Sequence, residues 1–230
     1  MATVILVRHG RTTANAAGVL AGRTDGVSLD QTGRDQAALT GDRLAAVPLV
    51  AVVSSPLERC QQTAQHILDR QAGTPHAPTE LDLTECDYGQ WQGRALTELA
   101  SEELWPLVQS QPSAVVFPGG ESLAAMQARS VAAIRCHDAA VEAEHGPEAV
   151  WAAVSHGDII KSVLADAFGM HLDLFQRINV GPASVSIVHY GASRPSVHAT
   201  NTEAGDLAWL AKGIRSDAAP VGGGAGHKAP

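Results

Sequence analysis

TVILVRHGRTTAN, at residues 3–15, opens on five apolar or β-branched residues and then breaks into a polar, glycine-containing stretch. An unbroken apolar run of that length reads as a strand buried on both faces, with a loop at its carboxyl end. Two further stretches repeat the design. VAVVS at 50–54 runs into SPLER, and AVWAAV at 149–154 runs into SHGD. Helical patterns lie between and after them. They cover 31–46, 57–71 with Pro56 at the entry, 95–110 with Pro106 as a break, 121–145 and 158–168. ASVSIVHY at 183–190 alternates as a strand does, and 196–200 is a further candidate. Strands alternating with helices predict an α/β fold, a three-layer sandwich with a mostly parallel central sheet and helices on both faces. Residues 1–202 read as one folded domain. Residues 203–230, which end in APVGGGAGHKAP, read as a flexible tail without core-forming residues.

Composition narrows the function. The 230 residues are 45% apolar and 17% charged, which suits a compact enzyme domain. A net charge of −8 argues against nucleic-acid binding and against docking on anionic lipid. Any anion site must therefore be a local basic pocket. Cys60, Cys86 and Cys136 are irregularly spaced and form no CxxC pair, so they read as reduced thiols in a cytoplasmic protein. No apolar stretch has the length of a signal peptide core or a spanning helix. The histidines show no metal-ligand spacing, and neither a metal nor a cofactor is expected.

Ligands in open α/β sheets bind beyond the carboxyl ends of the strands. If the three buried strands are neighbours, Arg8, His9, Arg59 and His156 converge on one edge. Two arginines supply planar forks of donors that match phosphate oxygens. A neutral histidine can accept a phosphoryl group on a ring nitrogen as a covalent intermediate. The leaving oxygen then needs a proton, and Glu85, Asp87, Asp82 and Asp158 are all candidates to give it.

Six segments in register resemble the phosphoglycerate-mutase-like histidine phosphatases. They are LVRHGRTTAN at 6–15, LDQTGRDQA at 29–37, SSPLERCQQTA at 54–64, LTECDYGQWQG at 83–93, PGGES at 118–122 and VSHGDIIK at 154–161. The resemblance covers roughly residues 3–200. It implies that His9 becomes phosphohistidine, that Arg8, Arg59 and His156 hold the phosphate, and that Glu85 is the proton donor. It also implies that Asn15 and the backbone of Gly157 complete the phosphate pocket, with Gly22 and Arg23 touching substrate. Two positions depart from the family pattern: Arg11 stands where an acidic residue or Gln is usual, and Gln92 where Glu is usual. Asp158 is separated from His156 by Gly157, unlike the acid-phosphatase branch, which favours Glu85.

The family holds phosphatases and mutases. A mutase needs extra basic residues to retain a phosphorylated acid. Residues 94–117 are short and carry Arg94 against Glu98, Glu102 and Glu103, together with Leu104, Trp105, Leu107, Val115, Val116 and Phe117. That composition predicts an apolar pocket rim and a phosphomonoester hydrolase acting on a small phosphorylated metabolite. A phosphoglycerate mutase-type activity and a catalytically silent phosphoester-binding module are the alternatives. A homo-oligomer is left open.

Overall fold

The structure, a computed structural model, describes residues 2–205 and 221–226. Five strands form one sheet: β1 (Thr3–Arg8), β2 (Leu49–Ser54), β3 (Val150–Ser155), β4 (Val185–Tyr190) and β5 (Pro195–Thr202), in the order β2-β3-β1-β4-β5. β2, β3 and β1 run parallel, while β4 lies antiparallel to β1 and β5 antiparallel to β4. The expected α/β class holds, and the sheet is mixed, with its parallel half on the β2 side. The reason for the reversal lies in the connection before β4. Residues 172–182 carry the chain back to the carboxyl end of β1, where Ala183 N–H donates to His9 O and Arg8 N–H to Ser184 O. β4 therefore starts at that end and can only descend.

Helices cover both faces. They are α1 (Thr13–Ala17), α2 (Gln31–Leu44), α3 (Glu58–Leu68), α4 (Leu96–Leu99), α5 (Trp105–Ser110), α6 (Leu123–His145) and α7 (Gly157–Ala167). The period of two in the strands divides the core. Val4, Leu6, Val53, Trp151 and Ala153 pack towards α6 and α7, while Ile5, Val7, Val52, Ala152 and Val154 pack towards α3. Local chemistry fixes the helix starts. Asp30 accepts from Gly33 N–H at 2.7 Å to begin α2, and Ser122 accepts from Ala125 N–H at 3.0 Å to begin α6. The apolar side chains of 104–117 go largely into this core instead of forming the expected rim. Val108, Val115 and Phe117 are buried, and Trp105 stacks on Trp91 with ring centroids 6.1 Å apart. Val116 is exposed.

Residues 206–220 and 227–230 of the expected tail lie outside the described residues. The part that is described, 221–226, returns to the body of the protein. Val221 is 2% exposed and belongs to the larger core cluster. Burying a valine side chain contributes about 1.5–3 kcal/mol, a real anchor for so short a segment. Among the described residues no helix is long and apolar enough to cross a membrane.

Candidate active site

The parallel register sets the site. Arg8 ends β1 opposite Ser155 at the end of β3, so His9 and His156 leave adjacent strands side by side. Their rings meet edge to face with centroids 5.3 Å apart. Ser54 ends β2 level with Val154, and the chain turns into α3, whose first turn carries Arg59. Arg8, His9, Arg59 and His156 are all buried at this one edge. α7 begins at Gly157 directly after His156, which places the positive end of a helix dipole at the same edge.

Main chain packs against main chain to hold this edge rigid. A Cβ on Gly10 would lie 2.3 Å from Gly33 O, and one on Gly33 would lie 1.9 Å from Arg11 O. Glycine is needed at both positions because the first turn of α2 rests directly on the loop after β1. His9 is oriented by its own loop. Its Nδ1 lies 2.7 Å from Gly10 O, and because a carbonyl can only accept, the proton sits on Nδ1 and the lone pair on Nε2. Burial first, and then the Arg59 and Arg8 charges, push His9 well below the usual histidine range, so the ring is neutral at neutral pH. His156 is pushed down in the same way. Its Nε2 lies 2.7 Å from Ser55 Oγ.

Glu85 comes from a different kind of structure. It lies in an irregular stretch between two short 3-10 turns, at Leu81–Leu83 and Gly89–Trp91. Its carboxyl is buried and lines the cleft. Burial, followed by the neighbouring Asp158 charge, raises it to about 7, while the Cys86 N–H at 3.0 Å and the two arginines pull it down. The stretch is clamped from behind. Glu121 Oε1 accepts from Asp87 N–H at 2.8 Å, Arg23 Nη2 at 2.9 Å and Arg129 Nη2 at 2.6 Å. Arg23 Nε and Arg129 Nη2 also donate to Glu85 O, at 2.9 and 3.2 Å.

The cleft between these parts is open to solvent. His9, Asn15, Gly22, Arg59 and Glu85 line it, along with the aliphatic side chains of Val19, Leu20, Leu96 and Val221. Asn15 completes a capping box with Thr12, which uses its side-chain oxygen and leaves the amide nitrogen as the group to offer an anion. Gly22 O accepts from Arg59 Nη2 at 2.7 Å. Arg23, expected at the substrate, has its guanidinium on Glu85 O and Glu121, as part of the clamp. Arg94 is likewise paired with Glu98 and Glu102. Among the described residues, no three His, Cys, Asp or Glu side chains gather where a metal ion could be held.

Two features were not signalled by the motifs. The first is a buried polar network in which Tyr88 OH donates to Asp158 Oδ2 at 2.7 Å and Lys161 Nζ to Asp158 Oδ1 at 3.3 Å. Asp158, a sequence candidate for the acid, is thus held in a hydrogen-bonded pair. The second is the return of 221–226. Arg8 Nη2 donates to Gly224 O at 2.6 Å and to Gly222 O at 3.3 Å, and Gly222 N–H donates to Asp158 Oδ2 at 3.1 Å. Their only sequence signal is a run of glycines, which read as a solvated tail. Cys60 Sγ lies 3.4 Å from His156 Nε2, and burial pushes its thiol up to about 12, so it remains protonated.

Comparison with known proteins places this geometry. A family model described as histidine phosphatase superfamily (branch 1) matches residues 4–203. Phosphoserine phosphatase 1 of Hydrogenobacter thermophilus is 30% identical over 191 residues, covering 82% of this chain and 87% of its own. A probable phosphoglycerate mutase GpmB of Yersinia pestis is 32% identical over 196 residues, covering 84% and 87%. Among solved structures, a mycobacterial glucosyl-3-phosphoglycerate phosphatase superposes with a TM-score of 0.77 at 25% identity, covering 87% of this chain and 99% of that one.

Proposed function

The chain belongs to the histidine phosphatase superfamily, and from that premise we propose that it hydrolyses phosphomonoesters through a phosphohistidine on His9. The observation that carries the reading is the fixed tautomer of His9. With Nδ1–H on Gly10 O, the Nε2 lone pair is the nucleophile, on a ring that meets His156 edge to face and feels the charges of Arg59 and Arg8.

Nε2 attacks phosphorus, and the bond from phosphorus to the ester oxygen breaks. The arginines neutralise, and His156 and the Gly157 backbone stabilise by hydrogen bonding, the charge that spreads over the three remaining oxygens. Asn15 adds a donor at the side of the cleft. Glu85, which keeps its proton up to about 7, gives that proton to the leaving oxygen. The resulting carboxylate then takes a proton from water as the water oxygen attacks phosphorus, and the bond from phosphorus to Nε2 breaks with its electron pair returning to the ring. Inorganic phosphate leaves, and both residues return to their starting states. No step calls for a metal or a cofactor.

Hydrolysis is favoured over isomerisation by the walls of the cleft. Arg23, Arg94 and Arg129 are all engaged with carboxylates, while Val19, Leu20 and Leu96 face the substrate side. The presence of His9, Arg8, Arg59, His156 and Glu85 together argues against a silent binding module. The substrate is a small phosphorylated metabolite. The unbridged thiols of Cys60, Cys86 and Cys136 fit a cytoplasmic setting.

A paired assay tests the reading on chelator-treated protein. p-Nitrophenyl phosphate should be hydrolysed, and His9→Ala should lower the rate by at least about a thousandfold. 3-Phosphoglycerate with a bisphosphoglycerate primer should not be isomerised. Efficient isomerisation with little phosphate release would make the protein a mutase.

A further inference from the structure

Arg8 is the phosphate ligand whose donors are most occupied. A guanidinium offers a tetrahedral anion two edges of paired donors, Nε with Nη2 and Nη1 with Nη2. Nη2 belongs to both. Its two hydrogens face two acceptors, Gly224 O at 2.6 Å and Gly222 O at 3.3 Å, while Nη1 donates to Val180 O at 2.8 Å. While these bonds stand, neither edge presents two donors to one phosphate.

We propose that residues 221–226 are a built-in competitor of the phosphoryl group, whose main-chain carbonyls hold Arg8 until phosphate displaces them. The proposal rests on the reading of Arg8 as a phosphate ligand. The chemistry favours exchange. A carbonyl is a neutral acceptor, whereas hydrogen bonds from a guanidinium to a phosphate oxygen are charge-assisted and roughly twice as strong. The segment is also built to sit close and to leave. Gly222, Gly224 and Gly226 have φ of 70°, 60° and 73°, and a Cβ on Gly222 would stand 3.1 Å from Leu20 Cδ1. Its anchors, the Val221 side chain in the core and the Gly222 N–H on Asp158, do not use the Arg8 donors, so Arg8 can change partners while the segment stays tethered.

The test uses the full chain and inorganic phosphate. Saturating phosphate should speed amide exchange across 221–226 several-fold while slowing it around 8–10 and 156–157. Gly222→Val puts a branched side chain where the backbone has a left-handed φ and little room, and should loosen the segment. If the segment covers Arg8 about nine-tenths of the time, the inhibition constant for phosphate and the KM for p-nitrophenyl phosphate should each fall about tenfold. Val221→Ala, which weakens the anchor, should move both the same way by less. Slower exchange at 221–226 with phosphate, or a higher KM in both variants, would overturn the proposal and make the segment a positioning element for Arg8. Hydrolysis with phosphate-dependent protection at 8–10 but no change at 221–226 would sink this proposal alone. An absence of both hydrolysis and phosphate protection would sink the phosphatase reading with it.

Discussion

The two sides of the cleft are built by different means. On one side the sheet does the placing. Arg8, His9 and His156 follow the ends of paired strands, and the ladder between β1 and β3 fixes their spacing without help from side chains. On the other side Glu85 sits in a stretch with no ladder at all, held by the Glu121, Arg23 and Arg129 clamp and by glycine contacts. A Cβ on Gly120 would lie 2.2 Å from Asp87 O, and one on Gly89 2.2 Å from Pro118 O. The half that carries Arg8, His9 and His156 is thus secured by the backbone ladder, and the half that carries Glu85 by a few ion pairs. One side should resist single surface changes, and the other should not.

The largest effect should come from the proton itself. Glu85→Gln should lower kcat/KM at pH 6 by about 100- to 10,000-fold. In the wild type kcat/KM should fall above pH of about 7, as Glu85 ionises, while His9 stays neutral throughout. The same substitution reads the cost of the site in stability. Folded Glu85 keeps its proton to about 7 against an ordinary 4.5, so between these limits the folded state binds the extra proton. Wild-type stability should therefore decline relative to Glu85→Gln as pH rises from 4.5 to about 7, by on the order of 3 kcal/mol, followed by urea unfolding at each pH. A flat difference would mean that Glu85 is solvated and that its wall is already loose.

Glu121→Ala should come next. Removing the shared acceptor frees the Glu85 stretch, and a displacement of about 1 Å can cost about 100-fold in kcat. Because loosening lets water reach Glu85, the basic limb of the pH profile should also move to lower pH, which a purely structural loss would not produce. An unchanged profile would show that the clamp is dispensable and erase the contrast between the walls. The smallest effect belongs to Gly89→Ala. With φ of 52° and the Pro118 carbonyl in the way, it should cost about 1–3 kcal/mol in chemical unfolding and change turnover less than tenfold. A larger loss of turnover than Glu121→Ala would assign the support to backbone contact and not to the ion pairs.

The same contrast explains what the sequence disclosed. Strand ends carry their own signature, an apolar run stopping at a polar loop, so the meeting of Arg8, His9, Arg59 and His156 followed from period and order. The direction of β4 did not, because alternation in ASVSIVHY marks a strand without saying where the chain enters it. The family resemblance names Arg23 as a substrate contact, and its hold on Glu121, nearly a hundred residues away, carries no local signal. Composition of 104–117 suggests a rim, but Trp105 finds Trp91 and Phe117 turns inward, since nothing local says which face of an irregular segment is covered. Gly222 and Gly224 act through carbonyls, and a carbonyl is the same on every residue.

Val19, Leu20 and Leu96 carry no charge and stand on loops and a short helix outside the sheet. They border the reacting centre without sharing a hydrogen-bonded strand with it. Inheritance can therefore act on them separately. A descendant gene that exchanged the codons for Val19 and Leu96, which are only half-buried, would alter which esters fit while inheriting the reaction intact, and a laboratory library confined to them would sample new selectivities on an unaltered engine.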